Sequence, residues 1–184
     1  DFFPGLGWMM TRRFWDEISG KWPDLYWDDW LRSANQTLGR QCIRPERSRT
    51  ANFGADGVSQ SFNYEKHVSK VILNTDFVDF ASLDLSYLSP LLYDKLVFER
   101  LSRAVLLKYS NYLTSRPQNS DVIARYMPGN IEAIGKRTGI MTDHRNGIFR
   151  TSYRGVVIIP WNGYWAFLVE KGWLPPPGYT LGSS

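Results

Sequence analysis

Gly155-Val156-Val157-Ile158-Ile159 and Trp165-Ala166-Phe167-Leu168-Val169 flank Trp161-Asn162-Gly163-Tyr164. Asn-Gly between two apolar runs is the strongest short hairpin signal in the chain, because the tightest hairpin turns need positive φ at both central residues. An antiparallel hairpin is therefore predicted here. Upstream, residues 121–127 read as a strand that ends at Pro128-Gly129. Asn130 is placed to cap a helix running through Ile131 and Ile134 to Thr138, with Gly139 at the C′ position. The tail, Pro175-Pro176-Pro177-Gly178-Tyr179, predicts an extended surface segment. Together these elements predict a small α+β domain over residues 111–184.

Toward the N-terminus, the turn residues of Ser115-Arg116-Pro117-Gln118-Asn119-Ser120 set a boundary near residue 110. Before it, residues 91–107 predict a helix with Leu92, Leu96, Phe98, Leu101 and Val105 as an approximate apolar stripe. Residues 68–110 thus read as a connector with a helix. Residues 9–18 predict a further helix, with Met10, Phe14 and Ile18 on its core face and Ser19-Gly20 ending it. The loop before it, Pro4-Gly5-Leu6-Gly7, has two glycines that permit tight turning or close backbone approach. Cys42-Ile43 ahead of Pro45 suggests a short strand. Residues 51–61, with two glycines among small polar residues, form a loop that suits a lid as well as an ordinary surface connection.

The 184 residues suffice for one sizeable domain or for a domain and part of another. With 43% hydrophobic and 22% charged residues, disorder is not the default. A net charge of +4 with no basic run argues against nucleic acid as a partner. No apolar run is long enough to span a membrane. The opening Asp1-Phe2-Phe3-Pro4-Gly5 has no Met and no charged lead-in, so these residues are expected to belong to a longer protein. Cys42 is the single cysteine and reads first as buried and inert; His67 and His144 are the only histidines, far apart, which excludes Cys/His metal clusters. Arg40, Arg44, Arg47 and Arg49 crowd one segment, and structural ion pairs are expected of them more than ligand contacts.

The chemistry concentrates at Tyr26-Trp27-Asp28-Asp29-Trp30, two adjacent carboxylates between indoles, with Trp22-Pro23 just upstream. Aromatic walls dry a carboxylate, raise its basicity and suit stacking on a sugar face. That is the tuning a general base requires. The same residues also suit a helix start, with Asp28 as N-cap and the tryptophans as core anchors.

Several blocks in order resemble one family. They are residues 1–8, Lys21-Trp22-Pro23, Trp27-Asp28-Asp29-Trp30, Gly39-Arg40, Cys42-Ile43-Arg44-Pro45-Glu46, Ser48-Arg49-Thr50, Phe53-Gly54 and Gly57-Val58-Ser59. Leu83-Asp84-Leu85-Ser86-Tyr87-Leu88, Tyr93-Asp94 and Tyr153-Arg154-Gly155 follow. They resemble the C-terminal half of the catalytic region of the N-acetylglucosaminyltransferase I (alpha-1,3-mannosyl-glycoprotein 2-beta-N-acetylglucosaminyltransferase) family. The resemblance implies an α/β architecture: residues 1–67 as the C-terminal part of a GT-A domain, followed by the small α+β domain with its hairpin. It implies a metal-dependent, inverting enzyme that moves N-acetylglucosamine from UDP-N-acetylglucosamine to the 2-hydroxyl of a terminal α-mannose on a glycoprotein N-glycan.

By the same resemblance Asp28 is the catalytic base, and Trp27 packs beside the donor sugar. Leu6 contacts that sugar, and Ser59 reaches the donor diphosphate from a loop over residues 55–67 that orders when donor binds. Cys42 is implied to pair with an upstream cysteine. Mn²⁺ is the implied cofactor. No short acidic metal motif stands in these residues, so its ligands are expected upstream and the 184-residue piece is expected to be inactive by itself. The resemblance also implies a Golgi membrane protein with a lumenal catalytic region, its anchor lying outside this chain. Two other readings remain open: a sister enzyme acting on O-linked mannose, and a non-catalytic carbohydrate-binding module.

Overall fold

The computed structural model describes residues 7–51, 64–65, 69, 71–107, 119–145, 148–149 and 151–182. Three short helices come first: α1 (Arg12–Ile18), α2 (Trp27–Leu31) and α3 (Ala34–Thr37). The long helix α4 (Pro90–Arg103) and strand β1 (Val105–Leu107) follow. Beyond them lie β2 (Val122–Tyr126), α5 (Ile131–Thr138), β3 (His144–Arg145), β4 (Ile148–Phe149), β5 (Ser152–Tyr153), β6 (Val156–Trp161) and β7 (Tyr164–Glu170). Five strands form a mixed sheet in the order β1-β2-β7-β6-β5, and β3 pairs with β4 separately.

The sheet is the middle layer of three. Strand β2 pairs in parallel with both β1 and β7, and its residues divide between two cores by the two-residue period of a strand. Ile123 joins Val97, Phe98, Leu101 and Ala104 of the α4 side. Val122, Ala124 and Tyr126 join Ile131 and Ile134 of α5. The neighbouring β7 alternates likewise, Phe167 and Val169 to one side, Ala166 and Leu168 to the other. Strands covered on both faces read as largely apolar runs, as these do, with Arg125 the one charged residue inside β2.

The predicted hairpin is present. β6 and β7 are antiparallel and close at Trp161↔Tyr164. Asn162 at φ 48° and Gly163 at φ 84° fill the two left-handed turn positions. The predicted strand over 121–127 and the helix from Ile131 to Thr138 with left-handed Gly139 also stand.

Several expectations require correction. Asn130 lies at the N-cap position of α5 but makes no side-chain cap bond; a short 3₁₀ turn, Pro128–Asn130, leads into the helix instead. The helix expected over 91–107 ends at Arg103, because Ala104 turns extended and Val105 pairs with Val122. Short apolar runs fit helix and strand equally well, and here the open edge of β2 decides. The stripe shifts accordingly to Val97, Phe98 and Leu101, leaving Leu92 half exposed. No strand forms at Cys42-Ile43; the chain makes an isolated parallel bridge further on, Ser48↔Leu73. The helix expected over 9–18 starts at Arg12, where the Thr11 hydroxyl accepts from the Phe14 amide. Of its expected core face only Ile18 is fully buried. The tail does not lie free on the surface: Tyr179 and Leu181 pack against the α4 core. The expected boundary near residue 110 falls between β1 and β2, which pair in one sheet.

Asp121, one residue before β2, ties helix to sheet. It accepts two hydrogen bonds from the Arg100 guanidinium, both 2.7 Å, and one from the Trp165 amide at 2.8 Å. The same guanidinium lies 3.8 Å over the Trp165 ring. Burial pushes the Asp121 carboxyl up, but the Arg100 bonds and the Trp165 amide outweigh it and hold its pKa below the ordinary value. Asp121→Ala leaves a half-buried guanidinium and an amide without their acceptor, so a loss of about 2 kcal/mol in urea unfolding at neutral pH is expected. The native pKa is depressed, so this contribution is present above the unfolded value and is lost as pH falls through the native one. Variant and wild type should therefore converge in acid.

Candidate active site

Trp22 is the hub of an indole cluster. Its ring centroid lies 5.4 Å from that of Trp15, 5.5 Å from Trp27 in a near-parallel stack, and 5.7 Å from Trp30 edge-on. Trp8 adds a fifth ring, 5.6 Å from Trp27. Trp27 is thus a packing element of this cluster, as core anchors at a helix start would be. The cluster holds α2 in place against the segment before it.

α2 begins in an unusual way. The Tyr26 carbonyl accepts from the Trp30 amide at 3.0 Å, which puts Tyr26 at the N-cap. An N-cap is ordinarily an extended Ser, Thr, Asp or Asn whose side chain accepts an amide. Tyr26 is left-handed (φ 53°, ψ 38°) and makes no side-chain cap bond. Left-handed backbone costs an L-residue roughly 1–2 kcal/mol. Asp28 and Asp29 do not cap the helix; both stand in its first turn, where negative charge meets the positive end of the helix dipole.

One turn on, Arg32 binds both carboxylates. Its Nη1 donates to Asp28 Oδ2 at 2.6 Å and to Asp29 Oδ1 at 3.1 Å. The Arg32 side chain is 4% exposed, and each carboxylate side chain is 41% exposed. One buried guanidinium thus holds two partly exposed carboxylates and offsets one of their two charges. Burial pushes the Asp28 carboxyl up, but the Arg32 hydrogen bond and charge, with the amides of the helix start, hold its pKa below the ordinary carboxylate value. The expectation that aromatic walls raise its basicity is overturned by this one ion pair.

The four arginines of the 40–49 segment serve the structure where their bonds are seen. Arg40 makes a two-bond ion pair with Glu17, at 2.8 and 2.6 Å, as expected. Arg44 instead donates to the Thr151 carbonyl at 2.7 Å, and Arg49 to the carbonyls of Asn74 and Asp76. These bonds staple the segment to distant parts of the chain. A cleft of about 540 Å³ opens beside it, lined among others by Trp8, Arg44, Arg49 and, past α5, Ile140. Trp8 therefore links the indole cluster to the cleft. Cys42, expected to be buried, is exposed and free, and it borders this cleft. The packing round its sulfur raises the thiol pKa.

Leu6, Ser59 and nearly all of the expected lid lie outside the described residues. Asp28 and Trp27 are adjacent in α2. Sequence reading missed Arg32, although Asp28 and Arg32 stand at the i, i+4 spacing that pairs charges on a helix. It also missed the left-handed Tyr26, which no local pattern announces. Among the described residues no group of three or more His, Cys, Asp or Glu could hold a metal ion, so these residues do not fit a Mn²⁺ site.

The family model described as GNT-I family matches residues 1–174. A curated relative from Arabidopsis thaliana, alpha-1,3-mannosyl-glycoprotein 2-beta-N-acetylglucosaminyltransferase, is 43% identical over 161 residues. That match covers 86% of this chain and 36% of the relative, so the chain spans about a third of the relative's length.

Arg32→Met keeps an unbranched apolar stem and removes the charge. A stability loss of about 1 kcal/mol is expected at neutral pH, modest because the carboxylates are partly hydrated. Because the native Asp28 pKa is lowered, the pair contributes above the unfolded value, 3.8, and fades as pH falls through the native one. Unfolding curves at neutral and acid pH check this; a gap that does not change with pH would refute the pairing.

Proposed function

The chain belongs to the GNT-I family, and from that premise we propose that it carries the base side of an inverting glycosyltransferase. The donor is UDP-N-acetylglucosamine, and the acceptor is the 2-hydroxyl of a terminal α-mannose on a glycoprotein N-glycan. The reading rests on Asp28: a partly exposed carboxylate in the first turn of α2, held in one orientation by a buried arginine.

Inversion needs one in-line displacement. The mannose O2 attacks the anomeric carbon of the donor, and the bond from that carbon to the β-phosphate oxygen breaks with its electron pair going to UDP. Asp28 takes the proton from O2. A carboxylate held below its ordinary pKa is ionised at neutral pH and so is ready to accept. It is a weak base toward a free hydroxyl, but the hydroxyl becomes strongly acidic as its oxygen bonds to carbon, so late transfer suffices. Arg32 keeps the accepting carboxylate from turning away and, staying protonated throughout, transfers no proton.

The remaining assignments rest on the family. Residues 1–67 form the C-terminal part of a GT-A domain, and Trp27, Leu6 and Ser59 serve the donor, Ser59 at its diphosphate. A Mn²⁺ requirement would be met by ligands elsewhere in the whole protein. The whole protein would work on the lumenal side of the Golgi membrane.

The test uses the whole protein with UDP-N-acetylglucosamine, Mn²⁺ and a five-mannose N-glycan, following the glycan mass. One added N-acetylhexosamine is expected, and Asp28→Asn should cut the rate by about 10²–10⁴-fold. Wild-type turnover in that variant would remove Asp28 from the base role. The 184-residue piece should transfer nothing by itself. Measurable transfer by it would show that these residues hold a complete donor site.

A further inference from the structure

Three aromatic side chains flank the Asp28-Asp29 pair, and they are not used alike. Trp27 and Trp30 are engaged in the indole cluster, Trp27 with Trp8 and Trp22, Trp30 with Trp22. Tyr26 is 78% exposed. It is also the residue that holds the left-handed backbone at the mouth of α2. The other non-glycine residues of positive φ have local accounts. Leu38 closes the C-terminus of α3, where left-handed residues end helices, and Asn162 sits in the hairpin turn. Arg154, with Gly155, fills the two-residue turn between β5 and β6. At an N-cap, by contrast, Asn or Asp would bond a free amide and Gly would take the left-handed turn without strain. Tyrosine does neither, so its side chain is held outward at a cost to the helix. Strain kept at one point of a fold is a reason to look for use there.

Two residues of chain span at most about 7 Å, so the Tyr26 backbone lies within one sugar's reach of the Asp28 backbone. A base that takes the proton of the attacking hydroxyl must touch the acceptor sugar, not the leaving nucleotide. We propose that Tyr26 is a specificity-determining residue whose ring forms a stacking platform for the pyranose of the acceptor mannose. The inference rests on the reading of Asp28 as the base and deepens it. An aromatic face offers a flat apolar surface to the C–H side of a sugar and leaves its hydroxyls free to be read elsewhere.

The experiment uses the whole protein and steady-state transfer to a mannose-terminated N-glycan, with acceptor and donor varied in turn and thermal unfolding measured beside them. Tyr26→Gly relieves the left-handed strain and removes the ring. It should raise acceptor KM by about three- to ten-fold while donor KM holds, matching the worth of one aromatic contact. Its Tm should equal or exceed that of the wild type. Tyr26→Phe keeps the ring face and should retain the low acceptor KM. An unchanged acceptor KM in Tyr26→Gly overturns the proposal. So does a change confined to donor KM, or a clear fall in Tm, which would make Tyr26 a packed residue of the whole protein. A wild-type protein that transfers nothing to the mannosyl glycan overturns the underlying function itself, and that result is distinct from the others.

Discussion

A strand that divides its side chains between two apolar cores must be covered on both faces, and β2 imposes that condition on everything around it. Its parallel neighbours cannot be reached by a tight turn, so the chain has to leave the sheet and return. On one face that requirement is met by α4, which arrives from before the strand; on the other by α5, which leaves directly after it. The hairpin β6–β7 then brings β7 in beside β2 as its second parallel partner. Asp121 fixes the geometry at the entrance to β2 by taking bonds from α4 and from β7, its neighbour in the sheet. Remove the need to cover β2 twice and neither helix has a reason to dock.

The N-terminal part follows a different rule. It is short of strands among the described residues, and its order comes from rings and arginines rather than from a sheet. Five indoles pack in succession, and Arg40, Arg44 and Arg49 bind groups far away in the chain. In this setting two effects compete at Asp28. Desolvation favours the neutral acid, while a guanidinium 2.6 Å away favours the anion. The carboxylate is only partly dry and the guanidinium is almost wholly buried, so the arginine prevails. Asp28 is therefore an anion at neutral pH, fixed in direction, and not a carboxylate made strongly basic by dryness.

Much of the C-terminal fold is legible in the sequence because its signals are local. Asn162-Gly163 specifies its own turn, Gly139 its own helix end, and the run from Val122 to Tyr126 its own strand. The reading fails where a distant partner chooses. Val105 continues a helical stripe by spacing and becomes a strand because β2 offers it a free edge. Cys42-Ile43 has strand propensity and no edge to join. At the site, the carboxylate and its flanking rings stand out as a motif, whereas the sign of the Asp28 shift depends on Arg32 being buried, which spacing suggests but cannot establish. The left-handed backbone of Tyr26 is announced by no local pattern, since tyrosine is not a residue that favours it.

The two ends of the main sheet bear on how this chain behaves in company. Among the described residues, β1 contributes three residues at one border and β5 two at the other. A short border presents few unpaired amides and carbonyls in a row. β7, the longest of these strands, lies between β2 and β6 along its length, while β5 covers only Val156 and Val157 of β6. The strand order itself thus keeps β7 from templating a partner, independent of surface charge.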